Sequence, residues 1–133
     1  MILGLGIDLC NILRMMKAVR SEHFVRRVFH SEEIVYACEK NDKKSELARA
    51  ARFASAFAAR EAFSKASGIS MYKIAFSQSV YLERRAEGPC LIISRNLDAG
   101  FAEGTKRAWV SLSHDGDYAV AVVVIEKTNP DQS

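Results

Sequence analysis

A mixed fold of helices and strands in one domain spanning residues 1–127, with a short tail at 128–133 that frays, is what this 133-residue sequence predicts. Three observations carry it. The opening alternates with period two, Leu3, Leu5, Ile7 and Leu9 against Gly4, Gly6 and Asp8, as a strand does. Residues 46–66 contain no Gly, no Pro and no β-branched residue and are rich in Ala, Leu, Arg, Glu and Lys, which predicts one long helix. Residues 108–113 and 118–126 are apolar runs flanking His114-Asp-Gly-Asp117, the pattern of a hairpin.

Taken in order, residues 1–9 read as a strand whose second face is hollow, since Gly4 and Gly6 leave space beside the Asp8 carboxylate for an ion or for another backbone. Gly4-Leu-Gly6 lacks the third glycine and the preceding full strand of a dinucleotide fingerprint. Asn11 is placed to cap a short helix with Leu13, Met16 and Val19 inward and Arg14, Lys17 and Ser21 outward. A further turn or helix at 24–28 follows, then one begun by Ser31 as N-cap, and a loop at 41–44. Along the long helix Leu47, Ala50, Ala54, Ala58, Glu61, Ala62 and Lys65 share a stripe, Phe53, Phe57 and Phe63 cover other faces, and Arg49, Arg52 and Arg60 supply the polar edge.

Ser67-Gly68 stops that helix; 74–83 reads as a strand, 84–89 as a charged turn, 90–93 as a returning strand and 96–103 as a helix ending at Gly104. Asp115-Gly116 favours a primed turn, and the last strand, apolar on both faces, is expected at the centre of its sheet.

The net charge is only +3, but Arg14, Lys17, Arg20, Arg26 and Arg27 crowd the first thirty positions, which suggests an acidic partner. Nucleic acid is disfavoured, because that segment lacks recognition motifs and interleaved exposed aromatics. Cys10, Cys38 and Cys90 are odd in number and show no CxxC spacing, so neither a disulfide framework nor a zinc site is indicated; they read as core or near-core thiols in a reducing cytoplasm. Met1 runs directly into Ile2-Leu3-Gly4-Leu5 without a basic segment, and no apolar run approaches the ~18 residues of a membrane helix, so secretion and membrane spanning are not expected.

Glu61 and Lys65 put a carboxylate and an amine one turn apart on a largely apolar helix. The bland reading is an ordinary i,i+4 pair, stabilising by roughly 0.2–0.5 kcal/mol; the sharper one is that a carboxylate losing its hydration needs a cation, a metal or hydrogen bonds. For Asp8 the bland reading is a strand-end cap, and for His114 a turn residue without a ligand. Three separated pieces argue the sharper way: Gly6-Ile-Asp8-Leu9, Phe57-Ala-Ala-Arg-Glu61-Ala-Phe-Ser-Lys65-Ala66, and Ser111-Leu-Ser-His114 closing into Asp117-Tyr-Ala119. Their order and spacing, over nearly the whole chain, resemble the bacterial holo-[acyl-carrier-protein] synthases, the small phosphopantetheinyl transferases.

The resemblance implies an α+β fold of the 4'-phosphopantetheinyl transferase type, a small antiparallel sheet wrapped around one long central helix. It implies a homotrimer with active sites at subunit junctions, and transfer of 4'-phosphopantetheine from coenzyme A to a serine of an acidic acyl carrier protein, releasing adenosine 3',5'-bisphosphate, for fatty acid biosynthesis. By the same resemblance Asp8 and Glu61 are the Mg²⁺ ligands, Lys65 the lysine near the pyrophosphate, and His114 the residue near the 3'-phosphate. Ser64, Gly88, Pro89 and Ser113 line the coenzyme site, and Arg14, Lys17, Arg20, Phe24 and Arg27 form the carrier-docking surface.

The residue types suit that chemistry independently. Mg²⁺ takes one or two carboxylates with waters and phosphates completing its shell. An ammonium such as Lys65 can stabilise the departing phosphate. The serine proton can go to Glu61 or to a water at the cation, and the sequence leaves both open. Departures from the family pattern include Ala56 where arginine is usual, with Arg52 one turn upstream as a substitute, Arg60 where lysine is more usual, Asn11 where an acidic residue is common, and Asp115 after the histidine where threonine is common. Ala56 and Asp115 motivate an alternative, a non-catalytic carrier-binding module with a vestigial metal site.

Overall fold

The computed structural model describes residues 1–39, 45–76 and 78–129; the loop expected at 41–44 and most of the expected tail, 130–133, lie outside them. The elements are β1 (Ile2–Asn11), α1 (Ile12–Ala18), α2 (Glu22–Val28), α3 (Ser31–Glu39), α4 (Glu46–Ser67), α5 (Met71–Phe76), β2 (Val80–Arg85), β3 (Gly88–Ile93), α6 (Ala99–Glu103), β4 (Lys106–Asp115) and β5 (Tyr118–Lys127). The fold is α+β. An antiparallel sheet of order β1-β5-β4 carries α4 across one face, and β2 and β3 form a separate antiparallel pair.

The long helix forms where propensity puts it. Ser45 Oγ accepts from the Ala48 N–H at 2.8 Å to begin it, and Gly68, at φ +75°, ends it in the left-handed conformation. Ala50, Ala54, Ala58 and Ala62 are fully buried, as is Phe63, and Phe53 nearly so, making α4 the spine of the core. Truncating either of these two phenylalanines to alanine costs about 3–5 kcal/mol.

The glycines of β1 set how closely helix and sheet approach. A Cβ on Gly6 would lie 2.0 Å from the Ala62 carbonyl oxygen, and one on Gly4 would lie 1.8 Å from that of Ala66. The hollow face of the strand is therefore filled by the backbone of α4. The apolar face turns away from it: Leu3, Leu5, Ile7 and Leu9 are all exposed, Leu5 by 66%. Val120, Val122 and Val124 pair with Leu9, Ile7 and Leu5 and extend this outer surface, which Trp109 continues opposite Val124.

Several expectations are corrected. The strand expected at 74–83 begins only at Val80; α5 precedes it, started by Ser70, whose Oγ accepts from Lys73 N at 3.4 Å. Asn11 caps α1 as expected, accepting from Arg14 N at 3.0 Å, and Val19 turns inward as expected, but Ile12 and Met15 turn inward with it while Leu13 is exposed. The helix starts at the very next residue, held by the Ile12 N–H donating to Asp117 O at 2.8 Å, and this fixes which face meets α4. Ser31 is the first residue of α3 rather than its cap. His30 Nδ1 accepts from Glu32 N at 3.1 Å, and Glu33 Oε1 accepts from His30 N at 2.9 Å, a reciprocal cap. Residues 95–97 form a turn before α6, and Asp98 caps it. Cys38 is exposed, and Cys10 and Cys90 are half-buried.

Arg60 is the largest correction. It is no part of a polar edge but the largest fully buried side chain. Its Nη2 donates to Glu33 Oε1, its Nε donates to Val80 O at 3.0 Å, and the guanidinium lies over Phe29. Glu33 Oε2 in turn accepts from Leu82 N at 2.9 Å. Burial pushes the arginine down to about 9, leaving it charged at neutral pH with Glu33 as counter-ion. This pair ties α3, α4 and β2 together.

Candidate active site

Asp8 reaches the site because β1 alternates and Gly6 lets it lie on α4 at Ala62. Glu61 and Lys65 reach it because they are one turn apart on the stripe that crosses β1. Lys65 Nζ donates to Asp8 Oδ1 at 3.1 Å and to the Ile7 carbonyl at 2.9 Å. Partial burial, with the Asp8 charge adding to it, pushes the Glu61 carboxyl above its ordinary value, and Lys65 only partly offsets this. Cys10, on the same face of β1, is pushed up to about 11 by burial and by both carboxylates, so it stays a neutral thiol.

Two neighbouring carboxylates with one ammonium, bonded to Asp8, form an anionic group short of positive charge. Among the described residues no group of three or more His, Cys, Asp or Glu side chains is arranged to hold a metal. Such a donor set does not make a transition-metal cage. It fits a hard cation that takes its remaining ligands from water and phosphate.

Ser64 lies beside Lys65, and its Oγ donates to Ile69 O at 2.6 Å, closing the end of α4. Ser113 and His114 are not with this cluster. They line a separate crevice of about 300 Å³ with Tyr36, Arg52, Ser55 and Arg84, at the β4 edge of the sheet, with β5 between them and β1. Arg52, the candidate phosphate contact, donates through Nε and Nη2 to Ala37 O at 3.1 and 3.0 Å, closing the end of α3. Pro89 and Gly88 pair with Arg84 and Arg85 across the β2–β3 ladder, and of that ladder Arg84 lines the crevice. Tyr36 and Arg84, stacked at 4.8 Å, were not singled out in the sequence; an aromatic and an arginine 48 positions apart leave no local signal.

On the basic face, Arg14 and Lys17 are exposed on α1. Arg20 pairs with Glu46 at 3.3 Å, Arg26 with Glu22 at 2.7 Å, and Phe24 packs edge-on against Phe29. Arg27 is exposed on α2. Among the described residues no helix is long and apolar enough to cross a membrane.

This is a small α+β protein that gathers two carboxylates and an amine where its first strand crosses its long helix. The family model of the 4'-phosphopantetheinyl transferase superfamily matches residues 4–123, and the chain belongs to that superfamily. The holo-[acyl-carrier-protein] synthase of Anaeromyxobacter dehalogenans (strain 2CP-1) is 36% identical over 136 residues, covering 98% of this chain and all of that protein. Among solved structures, the holo-[acyl-carrier-protein] synthase of Neisseria meningitidis superposes with a TM-score of 0.75 at 29% identity, covering 96% of this chain and 100% of its own. A holo-(acyl-carrier-protein) synthase from Bacillus anthracis str. Ames, in complex with CoA (3',5'-ADP), superposes with a TM-score of 0.74 at 32% identity, covering 96% of this chain and 99% of its own.

Proposed function

We propose that this protein, as one domain over residues 1–127, transfers 4'-phosphopantetheine from coenzyme A to a serine of an apo-acyl carrier protein in support of fatty acid biosynthesis. Membership of the superfamily and the relatives named above support the reaction. The observation that carries it to particular residues is the contact of Lys65 with Asp8 beside a Glu61 carboxyl held above its usual range.

In the reaction the serine Oγ bonds to the phosphorus that bears pantetheine. The bond from that phosphorus to the bridging oxygen breaks, and adenosine 3',5'-bisphosphate leaves with that oxygen. Asp8 and Glu61 are the residues that would hold Mg²⁺, which neutralises charge on the diphosphate when bound. Lys65 swings from Asp8 to the departing phosphate, stabilising the negative charge that grows there. The serine proton passes to a Glu61 carboxylate oxygen or to a water beside it.

Ser64, Gly88, Pro89, Ser113 and His114 contact the coenzyme in this reading, and Arg14, Lys17, Arg20, Phe24 and Arg27 receive the acidic carrier. Steering of that kind raises association rate more than affinity and weakens with salt. A homotrimer is supported by the apolar outer sheet face, larger than a solitary chain favours leaving in water. It also accounts for the separation of His114 from Asp8 within one chain, because a neighbouring copy can bring its crevice to the carboxylates. Three free cysteines fit a reducing cytoplasm.

Mass spectrometry of apo-carrier incubated with coenzyme A and Mg²⁺ tests the proposal. A phosphopantetheine increment is expected with the wild-type protein and a much slower one with Glu61→Gln. Carrier that binds without gaining mass would overturn it, and full turnover by Glu61→Gln at limiting Mg²⁺ would overturn the ligand assignment.

A further inference from the structure

The face that α4 turns to the sheet around Glu61 is built of small residues. Gly4 and Gly6 lie against the backbone of Ala66 and Ala62, and Ala119 and Ala121, paired with Cys10 and Asp8 on the same side of the sheet, are fully buried. Surfaces of hydrogens and methyl groups pack closely, but they lack the interdigitating side chains that stop one element turning against another. Phe53 and Phe63 anchor the helix by shape, and shape alone tolerates small shifts. The place of the Glu61 carboxylate therefore calls for contacts of fixed direction.

Arg60, the residue before Glu61, makes them. Its Nε donates to the Val80 carbonyl of β2 at 3.0 Å, its Nη2 donates to Glu33 of α3, and its guanidinium lies over Phe29, 5.3 Å from the ring centroid. Glu33 is itself tied to backbone: Oε1 accepts from His30 N at 2.9 Å and Oε2 from Leu82 N at 2.9 Å. A guanidinium forked between two fixed acceptors specifies direction as well as distance. Arg60 and Glu61, about 100° apart around the helix axis, turn together. The end of a glutamate lies about 5–6 Å from that axis, so a rotation of about 10° carries it about 1 Å. An error of that size can cost about 10²-fold in rate.

The pair is a poor choice if stability is its whole task. Arg60 Nη1 is buried with no hydrogen-bond partner among the described residues. Apolar side chains of similar volume would fill the same space without taking two charges out of water, and such replacements are often neutral or stabilising. What they would not supply is a fixed direction.

We propose that Arg60 and Glu33 are positioning residues, which together fix the rotation of α4 on the sheet and with it the place of the Glu61 carboxylate beside Asp8. The inference rests on the proposed role of Asp8 and Glu61 as cation ligands, and adds what keeps the ligand on the helix in register with the ligand on the strand.

The test uses the full chain carrying Arg60→Met and Glu33→Leu together, which removes both charges and keeps the space filled. Urea unfolding reads stability, the EPR signal of Mn²⁺ titrated into the protein without substrates reads the ligand pair, and the carrier assay with Mg²⁺ reads turnover. Expected is stability close to wild type, with Mn²⁺ affinity lowered about tenfold or more and kcat lowered about 10²-fold. A role in the frame alone would return all three together. Arg60→Lys, which keeps a cation beside Glu33, should recover most of what the double variant loses. If the double variant does not fold, Glu33→Gln, which keeps the shape and removes the charge, takes its place with the same direction expected. A folded variant of either kind with wild-type Mn²⁺ binding and turnover would overturn the proposal and leave the ligand assignment standing. Wild-type protein that transfers the group but binds no Mn²⁺ and needs no Mg²⁺ would overturn the ligand assignment, and the proposal with it.

Discussion

Two ion pairs sit a little over one turn apart on α4, and they behave oppositely. Arg60 and Glu33 have side chains 0% and 2% exposed, while Lys65 and Asp8 have side chains 54% and 16% exposed. The buried pair is fixed by backbone partners at Val80, Leu82 and His30. Its charges cannot be re-partnered, because each has lost hydration that only the other restores. The outer pair is partly wet, so exchanging one anion for another costs Lys65 little. The charges proposed to handle ligand are those the fold leaves free to change partners, and the charges it seals hold the frame.

The comparison breaks first at Arg60. Arg60→Met leaves Glu33 buried and uncompensated and is expected to cost about 3–5 kcal/mol in urea unfolding. Adding Glu33→Leu should return most of the loss; a double variant as unstable as the single one would mean that the arginine acts through packing and not charge. Lys65→Ala should leave unfolding within about 1 kcal/mol of wild type while lowering turnover by about 10²–10³-fold in the carrier assay. A large stability loss there would make the two pairs alike.

Charge further out should matter less. Arg14→Glu is expected to raise the KM for the carrier at low salt and to have a diminishing effect as ionic strength rises, with kcat preserved. The smallest effect is the pH response of Glu61. Burial and Asp8 raise its carboxyl in the folded state, so folding binds the proton more tightly. That contribution is fully present below the ordinary glutamic acid value of 4.5 and is lost as pH rises through the raised one. Subtracting the stability profile of Glu61→Gln from that of the wild type should therefore give a difference that falls with rising pH over that window; a rising difference would reverse the sign argued for the site.

What was legible in the sequence is what local rules control. The ends of α4, the Asn11 cap, the hairpin at Gly116 and the central place of β5 all follow from propensity, capping and turn chemistry within a few residues. Glu61 and Lys65 could be singled out because they lie one turn apart on one helix, and Asp8 joined them through the family resemblance. Arg60 could not, because its partner Glu33 lies 27 positions away and nothing local marks an arginine for burial. The 74–83 run misled because Ile74 and Phe76 fit a strand as well as a turn of helix, and the Ser70 cap was the deciding residue. Alternation in β1 sorted its two faces, and the hollow one, which left room for another backbone, is the one that meets the long helix. Glycine and aspartate meet α4, since only a face without side chains admits a helix backbone so closely.

Because β5 separates β1 from β4, the first strand made on the ribosome waits for the last. Ile7 pairs with Val122, and nearly the whole chain must emerge before that ladder can close. Until then β1 has the long helix to pack on but no strand to pair with, and so non-local an arrangement folds slowly by nature. The nascent protein therefore depends on whatever shields an unpaired apolar edge during synthesis, and slowing translation near the end of the message would lengthen the interval in which aggregation competes with folding.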